Sequence, residues 1–182
     1  MTGKRKNILI TGVPGIGKTT LIKGIAERVS DLHPAGFYTQ ELRETRTRVG
    51  FQLIGLDGRG GILAHINRGG PVRVGKYGVD VEGFESFLFH LSLFESITHL
   101  VIIDEIGRME CYSPRFRELV QSIMDSNQIL IATIALRGDS FIEFLKHRED
   151  VRLEVLTREN RDSLSPILED TLRALADKDA NG

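Results

Sequence analysis

The run Gly12-Val13-Pro14-Gly15-Ile16-Gly17-Lys18-Thr19 carries the spacing G-x-x-x-x-G-K-[ST], the pattern of a loop that cradles phosphate. Glycines let the backbone close around an anion so that successive amide hydrogens point at it. Lys18 would add a compact positive charge at the β and γ phosphates, the Thr19 hydroxyl a ligand for Mg2+, and Thr20 a donor toward the α-phosphate. The alternative is a glycine-rich turn without chemistry, and the complete spacing between a strand and a helix weighs against it. A second run, Leu100-Val101-Ile102-Ile103-Asp104-Glu105, reads as an apolar strand that ends in acid. Asp104 would order the magnesium shell at the carboxyl end of a parallel sheet, and Glu105 would polarise an attacking water. For Glu105 a structural role, in a salt bridge or a helix cap, is the alternative. The two runs together supply charge neutralisation and an aligned nucleophile, which phosphoryl transfer needs more than a reactive side chain.

These residues need a sheet that presents them at one edge, and the pattern along the chain predicts one. Short apolar runs bounded by turn residues alternate with helical patterns, the signature of a mostly parallel sheet covered on both faces. Ile8 to Ile10 is the first strand. Leu21, Ile22, Ile25, Ala26 and Val29 recur at helical spacing, so a helix is expected to begin just after Gly17. From about Gly36 to Gly75 the chain is rich in β-formers and glycine, with an Asp57-Gly58 turn signal, which predicts two or more antiparallel strands. Residues 81–97 carry Phe84, Phe87, Leu88, Leu91 and Phe94 on one helical face, widened by Phe89 and Leu93, a stripe expected in the core. His99 to Ile103 reads as a buried strand. Ser113-Pro114 reads as the cap and first residue of a helix whose apolar face is Phe116, Leu119, Val120, Ile123 and Met124 and whose end falls near Asn127. Ile129 to Ile134 is a third buried strand, Asp139 caps a short helix through Leu145, and Val151, Leu153 and Val155 mark a strand more exposed on one side. A last helix is expected from Ser163 to about Ala176, with the closing KDANG fraying.

The 182 residues, with 24 Lys plus Arg against 25 Asp plus Glu, suit one domain over 1–182 with the antiparallel part as an insertion of about 36–75. A net charge of −1 lacks the basic excess that nucleic acid or a polybasic membrane contact requires. Cys111 is the single cysteine, so no intrachain disulfide can form and a reducing, cytoplasmic setting is expected. The five histidines are scattered without paired spacing and are read as structural. The basic start, MTGKRKNILITG, has no extended apolar segment, and no apolar run is long enough to cross a bilayer, so no membrane association is expected. No sustained heptad is visible, which predicts a monomer.

The segments GVPGIGKTT, GFYTQELRE with VGFQLIGLDG after it, VGKYGVD, VIIDEIGRMECYS, ILIATIA and LTRENRD occur in the order seen in the thermophile-type nucleoside-triphosphatase family, which includes the human cancer-related nucleoside triphosphatase. The resemblance runs from Ile8 to about Leu172, and GFYT with DEIGRME are its most specific parts. It implies an α/β, three-layer P-loop NTPase fold of the RecA-like branch, with a strand inserted between the two phosphate-site strands. It also implies magnesium-dependent hydrolysis of ATP, GTP, CTP, UTP and TTP with little base preference, and of diphosphates less well. Carried over by position, Gly12 to Thr19 bind phosphate, joined by Thr20. Thr19 and Asp104 hold Mg2+, Glu105 serves the water, and Ile103 with Ile106, Gly107, Arg108, Met109 and Glu110 lines the same cleft. Glu110 would orient water or brace the Asp104 loop. Thr133 resembles the polar sensor of the γ-phosphate in RecA-like enzymes, with a hydrogen bond to backbone as its alternative. After the last strand, Asn160 can hydrogen-bond a base edge and Arg161 can stack on any base, or both can belong to the cap of the final helix. No N-K-x-D sequence is present, so guanine-specific readout has no candidate.

A kinase acting on a nucleotide or small-molecule acceptor competes with hydrolysis, since Arg43, Arg46, Arg48 and the Arg158/Arg161 pair could clamp phosphates or close as a lid. A solvated hairpin face is the alternative for the first cluster. A motor or signalling module would need an added domain, an LSGGQ segment or a basic stripe, and the sequence contains none. No arginine finger is clearly assignable, with Arg108 as a candidate in cis, so slow turnover by the isolated protein is expected.

Overall fold

Side chains along Asn7–Thr11 (β1) alternate between two cores: Leu9 belongs to one, Ile8 and Ile10 to the other. Such a strand needs cover on both faces. The structure, a computed structural model, describes residues 5–95 and 97–179. Strand β1 lies between β8 (Ile129–Ile134) and β9 (Val151–Val155), parallel to both. Strand β7 (Leu100–Ile106) pairs with β8 in the same sense, and β2 (Ala35–Glu44) with β7. The strand inserted between the one that leads into the glycine loop and the one that carries Asp104 is therefore β8, as the RecA-like resemblance implies. Helices α1 (Lys18–Arg28) and α5 (Arg161–Asp179) cover the face of Ile8 and Ile10. Helices α2 (Val81–Phe89), α3 (Pro114–Asp125) and α4 (Ser140–Lys146) cover the face of Leu9, completing three layers.

Beyond β2 the sheet continues in the antiparallel sense through β3 (Thr47–Gly55), β4 (Gly60–His65), β6 (Tyr77–Val79) and β5 (Arg73–Val74), so that nine strands make one sheet. The Asp57-Gly58 turn joins β3 to β4, with Gly58 at φ 87° and Arg59 N donating to Asp57 Oδ1 at 3.0 Å. The antiparallel part thus runs past Gly75 to Val79, and β2 belongs to both regimes: residues 35–37 pair with β7, residues 37–44 with β3. Gly36 sits at that junction with φ 134°, and a Cβ there would overlap the Ile102 carbonyl oxygen. Gly36→Ala is therefore expected to destabilise the protein by about 3 kcal/mol, a fall in Tm of about 6–12 °C in thermal unfolding.

Two expectations are corrected. The helix expected over 81–97 stops at Phe89, although Asp80 caps its start by accepting from Gly83 N at 2.9 Å. The chain then turns, with Leu91 N on Leu88 O and Leu93 N on Leu91 O. Leu91 and Leu93 are buried, whereas Phe89 and Phe94, which the stripe assigns to the core, are 81% and 57% exposed. Gln128 anchors the turn, donating to the carbonyls of Leu93 and Thr98 at 2.5 and 2.9 Å. That anchor comes from a distant part of the chain, which helical periodicity does not register. The last helix begins at Arg161, and Lys178 and Asp179 of KDANG continue it; the remaining three residues of that segment lie outside the described residues. Strand β9 is an edge strand, and its more exposed side carries Leu153 and Val155.

Candidate active site

The glycine loop hangs between two fixed points. At its start, Leu156 N donates to Thr11 O at 2.7 Å, and Gly12 packs so closely on this neighbour that a Cβ would lie 2.8 Å from Leu156 O. At its end, Leu21 N donates to Gly17 O at 2.9 Å and α1 begins. Between them Gly15 and Gly17 take φ of 78° and 110°, which glycine adopts without strain. Gly17 provides no side-chain cap and the first turn of α1 has no acidic residue, so its amide hydrogens are left for an external anion. They face a crevice of about 740 Å³ lined by Gly12, Pro14, Gly15, Gly17, Lys18, Thr19 and Thr20 from this side. Lys18 Nζ donates to Gly12 O at 3.2 Å, which folds the ammonium back over the loop.

Glu105, near the end of β7, lines the same crevice. The peptide that joins it to Asp104 is cis. Burial pushes the Glu105 carboxyl above its ordinary pKa, the Lys18 ammonium opposes that rise, and the Asp104 charge adds to it. Asp104 itself is 1% exposed. Its Oδ1 accepts from Thr133 Oγ1 at 2.6 Å and its Oδ2 from Thr39 Oγ1 at 3.3 Å, which ties together the ends of β2, β7 and β8. Thr19 and Thr39 line the crevice, and the Thr39 hydroxyl sits on Asp104; hydroxyl and carboxylate oxygens are the hard donors that suit Mg2+. Among the described residues, no group of three or more His, Cys, Asp or Glu is disposed to hold a metal by itself.

Past Glu105 a side chamber of about 200 Å³ opens, lined by Thr39, Phe51 and Leu63 on one wall and by Gly107, Arg108, Met109 and Glu110 on the other. Glu110 is buried, and burial followed by the Glu105 charge pushes its pKa up to about 8, against the backbone amides of Glu110 and Gly107 that favour the carboxylate. Unfolded, the group titrates near 4.5. Between these values the folded chain keeps a proton that the unfolded chain releases, so stability falls as pH rises, by up to about 5 kcal/mol across the window. Glu110→Gln cannot ionise and is expected to gain on the wild type steadily from pH 5 to pH 8. Parallel curves of Tm against pH for the two proteins would contradict this.

The remaining residues singled out from sequence fall elsewhere. Val13 and Ile16 turn to the back of the loop, where with Val155, Leu156, Thr157 and Arg158 they line an apolar recess of about 290 Å³. Ile103 and Ile106 have their side chains in the core, and Thr133 is fully buried on Asp104. Asn160 spends its amide on its own loop, accepting from Thr157 N at 2.8 Å and donating to Val155 O at 2.8 Å, while its carbonyl receives the first turn of α5. Arg161 lies beside Asp162 at the surface, and neither it nor Asn160 lines the crevice. Arg43 and Arg48 are paired with Glu41 on the β2–β3 hairpin. Sequence reading missed the third wall of the crevice, Thr39, Gln40 and Glu41 of β2, and also Lys23, Leu136 and Arg137. Thr39 had a signal, since it ends the GFYT segment; Arg137 had none.

Three comparisons bear on this arrangement. The chain is 46% identical over 158 residues to the nucleoside-triphosphatase THEP1 of Thermotoga maritima, covering 86% of this chain and 90% of that one. It superposes on the crystal structure of THEP1 from the hyperthermophile Aquifex aeolicus with a TM-score of 0.80 at 36% identity, covering 91% of this chain and 98% of that one. For the solution structure of a human cancer-related nucleoside triphosphatase the TM-score is 0.77 at 32% identity, with 92% and 97% covered. The model of the NTPase family matches residues 7–168, and the chain belongs to that family.

Proposed function

We propose that this member of the NTPase family is a single-domain, monomeric, magnesium-dependent nucleoside-triphosphatase. It hydrolyses ATP, GTP, CTP, UTP and TTP to the diphosphate and phosphate, with low base specificity and slow turnover. One observation carries the reading: the glycine loop, Lys18 and Thr19 line the same crevice as Glu105. The loop amides and Lys18 bind the polyphosphate, and Glu105 accepts a proton from the attacking water. Thr19 and Asp104 would hold Mg2+, which when bound neutralises charge on the β and γ oxygens. Thr39 and Thr133 keep the Asp104 carboxylate in place by donating one hydrogen bond to each oxygen. Low base specificity follows from what the crevice presents, since its donors address the tail that all triphosphates share. Asn160 supports this, because its carboxamide is turned to its own loop by two hydrogen bonds and does not line the crevice. Slow turnover is the expectation for a chain that receives no arginine from a partner.

Phosphate release measured with each of the five triphosphates, magnesium and no acceptor tests the reading. Release from all five, with kcat/KM values within about tenfold of one another (about 1.4 kcal/mol), is expected. A kinase keeps one observation in its favour, the side chamber beside Glu105, which has room for more than water. Release that appears only with a metabolite pool, together with a phosphorylated metabolite, would replace the hydrolase by that reading.

A further inference from the structure

We propose that Arg137 stabilises the phosphoryl group in flight, so that the arginine comes from the chain's own β8–α4 loop rather than from Arg108 or from a partner. The proposal rests on the crevice being the triphosphate site. Arg137 lines the crevice together with Glu105, Lys18 and the glycine loop. Arg108, the candidate that sequence favours, lies outside the crevice; it lines the side chamber and a neighbouring cavity of about 500 Å³ that Arg137 also borders. Arg137 is exposed, and its guanidinium makes no ion pair or hydrogen bond among the described residues.

Its unpaired state is notable because the other charges of this loop are satisfied. Arg117 is held by Asp139 at 2.6 Å and by the Cys111 carbonyl, and Lys146 by Glu143 at 3.0 Å. The backbone on both sides of Arg137 is also tied down. Ala135 N donates to Ile106 O at 3.1 Å, Lys146 Nζ to Leu136 O at 2.9 Å, and Gly138 N to Glu143 Oε1 at 3.2 Å. A fixed base therefore carries a free guanidinium at the rim of an anion site. Ala135 follows β8 directly, and β8 also holds Thr133 on Asp104, so the loop that carries Arg137 leaves the sheet beside the end of β7 that bears Asp104 and Glu105. A planar guanidinium presents a fixed fork of donors that matches two phosphoryl oxygens as their charge grows, a geometry that a rotating, point-like ammonium does not hold.

The test uses the full chain with Arg137→Ala, Arg137→Lys and Arg108→Ala. Phosphate release from magnesium ATP, binding of a nonhydrolysable triphosphate, and formation of the diphosphate–aluminium fluoride complex are the three readouts. Arg137→Ala is expected to lower kcat about 100-fold while KM and the Kd of the analogue stay within about threefold, and to lose the aluminium fluoride complex. Arg137→Lys is expected to recover little. Both variants should keep the wild-type Tm, because the side chain has no partner to lose, so a loss of activity is not a loss of fold. A kcat for Arg137→Ala within about threefold of an active wild type overturns the inference and leaves the triphosphatase reading intact. So does a loss that follows Arg108→Ala instead. A wild type that releases no phosphate overturns both.

Discussion

Lys18→Ala is expected to lower kcat/KM for triphosphate hydrolysis by about 10³, about 4 kcal/mol of transition-state stabilisation. The ammonium lies over the glycine loop and donates to Gly12 O, so a bound β or γ phosphate would meet it at once. Lys23 lines the same crevice but cannot replace it, because its Nζ sits 4.1 Å from the Tyr38 ring centre and 3.5 Å from Gln40 Oε1. The single hydrogen bond that Lys18 makes to the loop predicts little change in Tm without ligand. With triphosphate present, wild type should rise in Tm and the variant should not: at about 100 times Kd the ligand adds about 2.7 kcal/mol. Steady-state phosphate release and ligand-dependent melting check the two halves separately. A variant within about fivefold of wild type in kcat/KM would remove the glycine loop from the mechanism.

Glu105→Gln is the second large effect, a fall in kcat of about 10³ with KM and analogue affinity nearly unchanged. The amide keeps the shape of the side chain but cannot take a proton from water. Because burial raises the Glu105 pKa, the acid limb of kcat against pH should lie above the ordinary carboxylate range. Activity is lost as pH falls through that pKa, when the base becomes protonated. The Lys18 ammonium lowers this pKa, so the residual activity of Lys18→Ala should lose its acid limb at a still higher pH. A Glu105→Gln variant that hydrolyses at the wild-type rate leaves the carboxylate a structural part, bracing the turn into the side chamber.

The glycine loop and the acid-ended strand were legible because both are local. Three glycines and one lysine at fixed spacing define the first, and four apolar residues before Asp104 and Glu105 define the second. The order of the parallel strands was legible only through the family resemblance, since nothing in Ile129–Ile134 itself says that it lies between β1 and β7. Arg137 was not legible at all. Its neighbours in sequence, Leu136 and Gly138, have no chemistry of their own, and the loop reaches the crevice only because β8 is parallel to β7 and ends beside it. The misread stripe at Phe89 and Phe94 has the same origin. Seven apolar residues fit a helical face, but the chain turns after Phe89 and a glutamine from beyond α3 holds the segment that follows. Asn160 was ambiguous for a different reason: a carboxamide after a strand suits a base or a cap equally, and its two bonds to its own loop are not visible in sequence.

Strand β1 pairs with residues far along the chain, Asn7 with Leu130 on one side and with Val151 on the other. The β2–β3 hairpin, by contrast, joins Glu44 to Thr47 and can zip up as soon as it leaves the ribosome. Strand β1 is thus made well before the two strands that hold it. At about 5–20 residues per second, it stays without its neighbours for on the order of ten seconds in every round of translation, and no nucleotide can help the nascent chain until its final third has emerged.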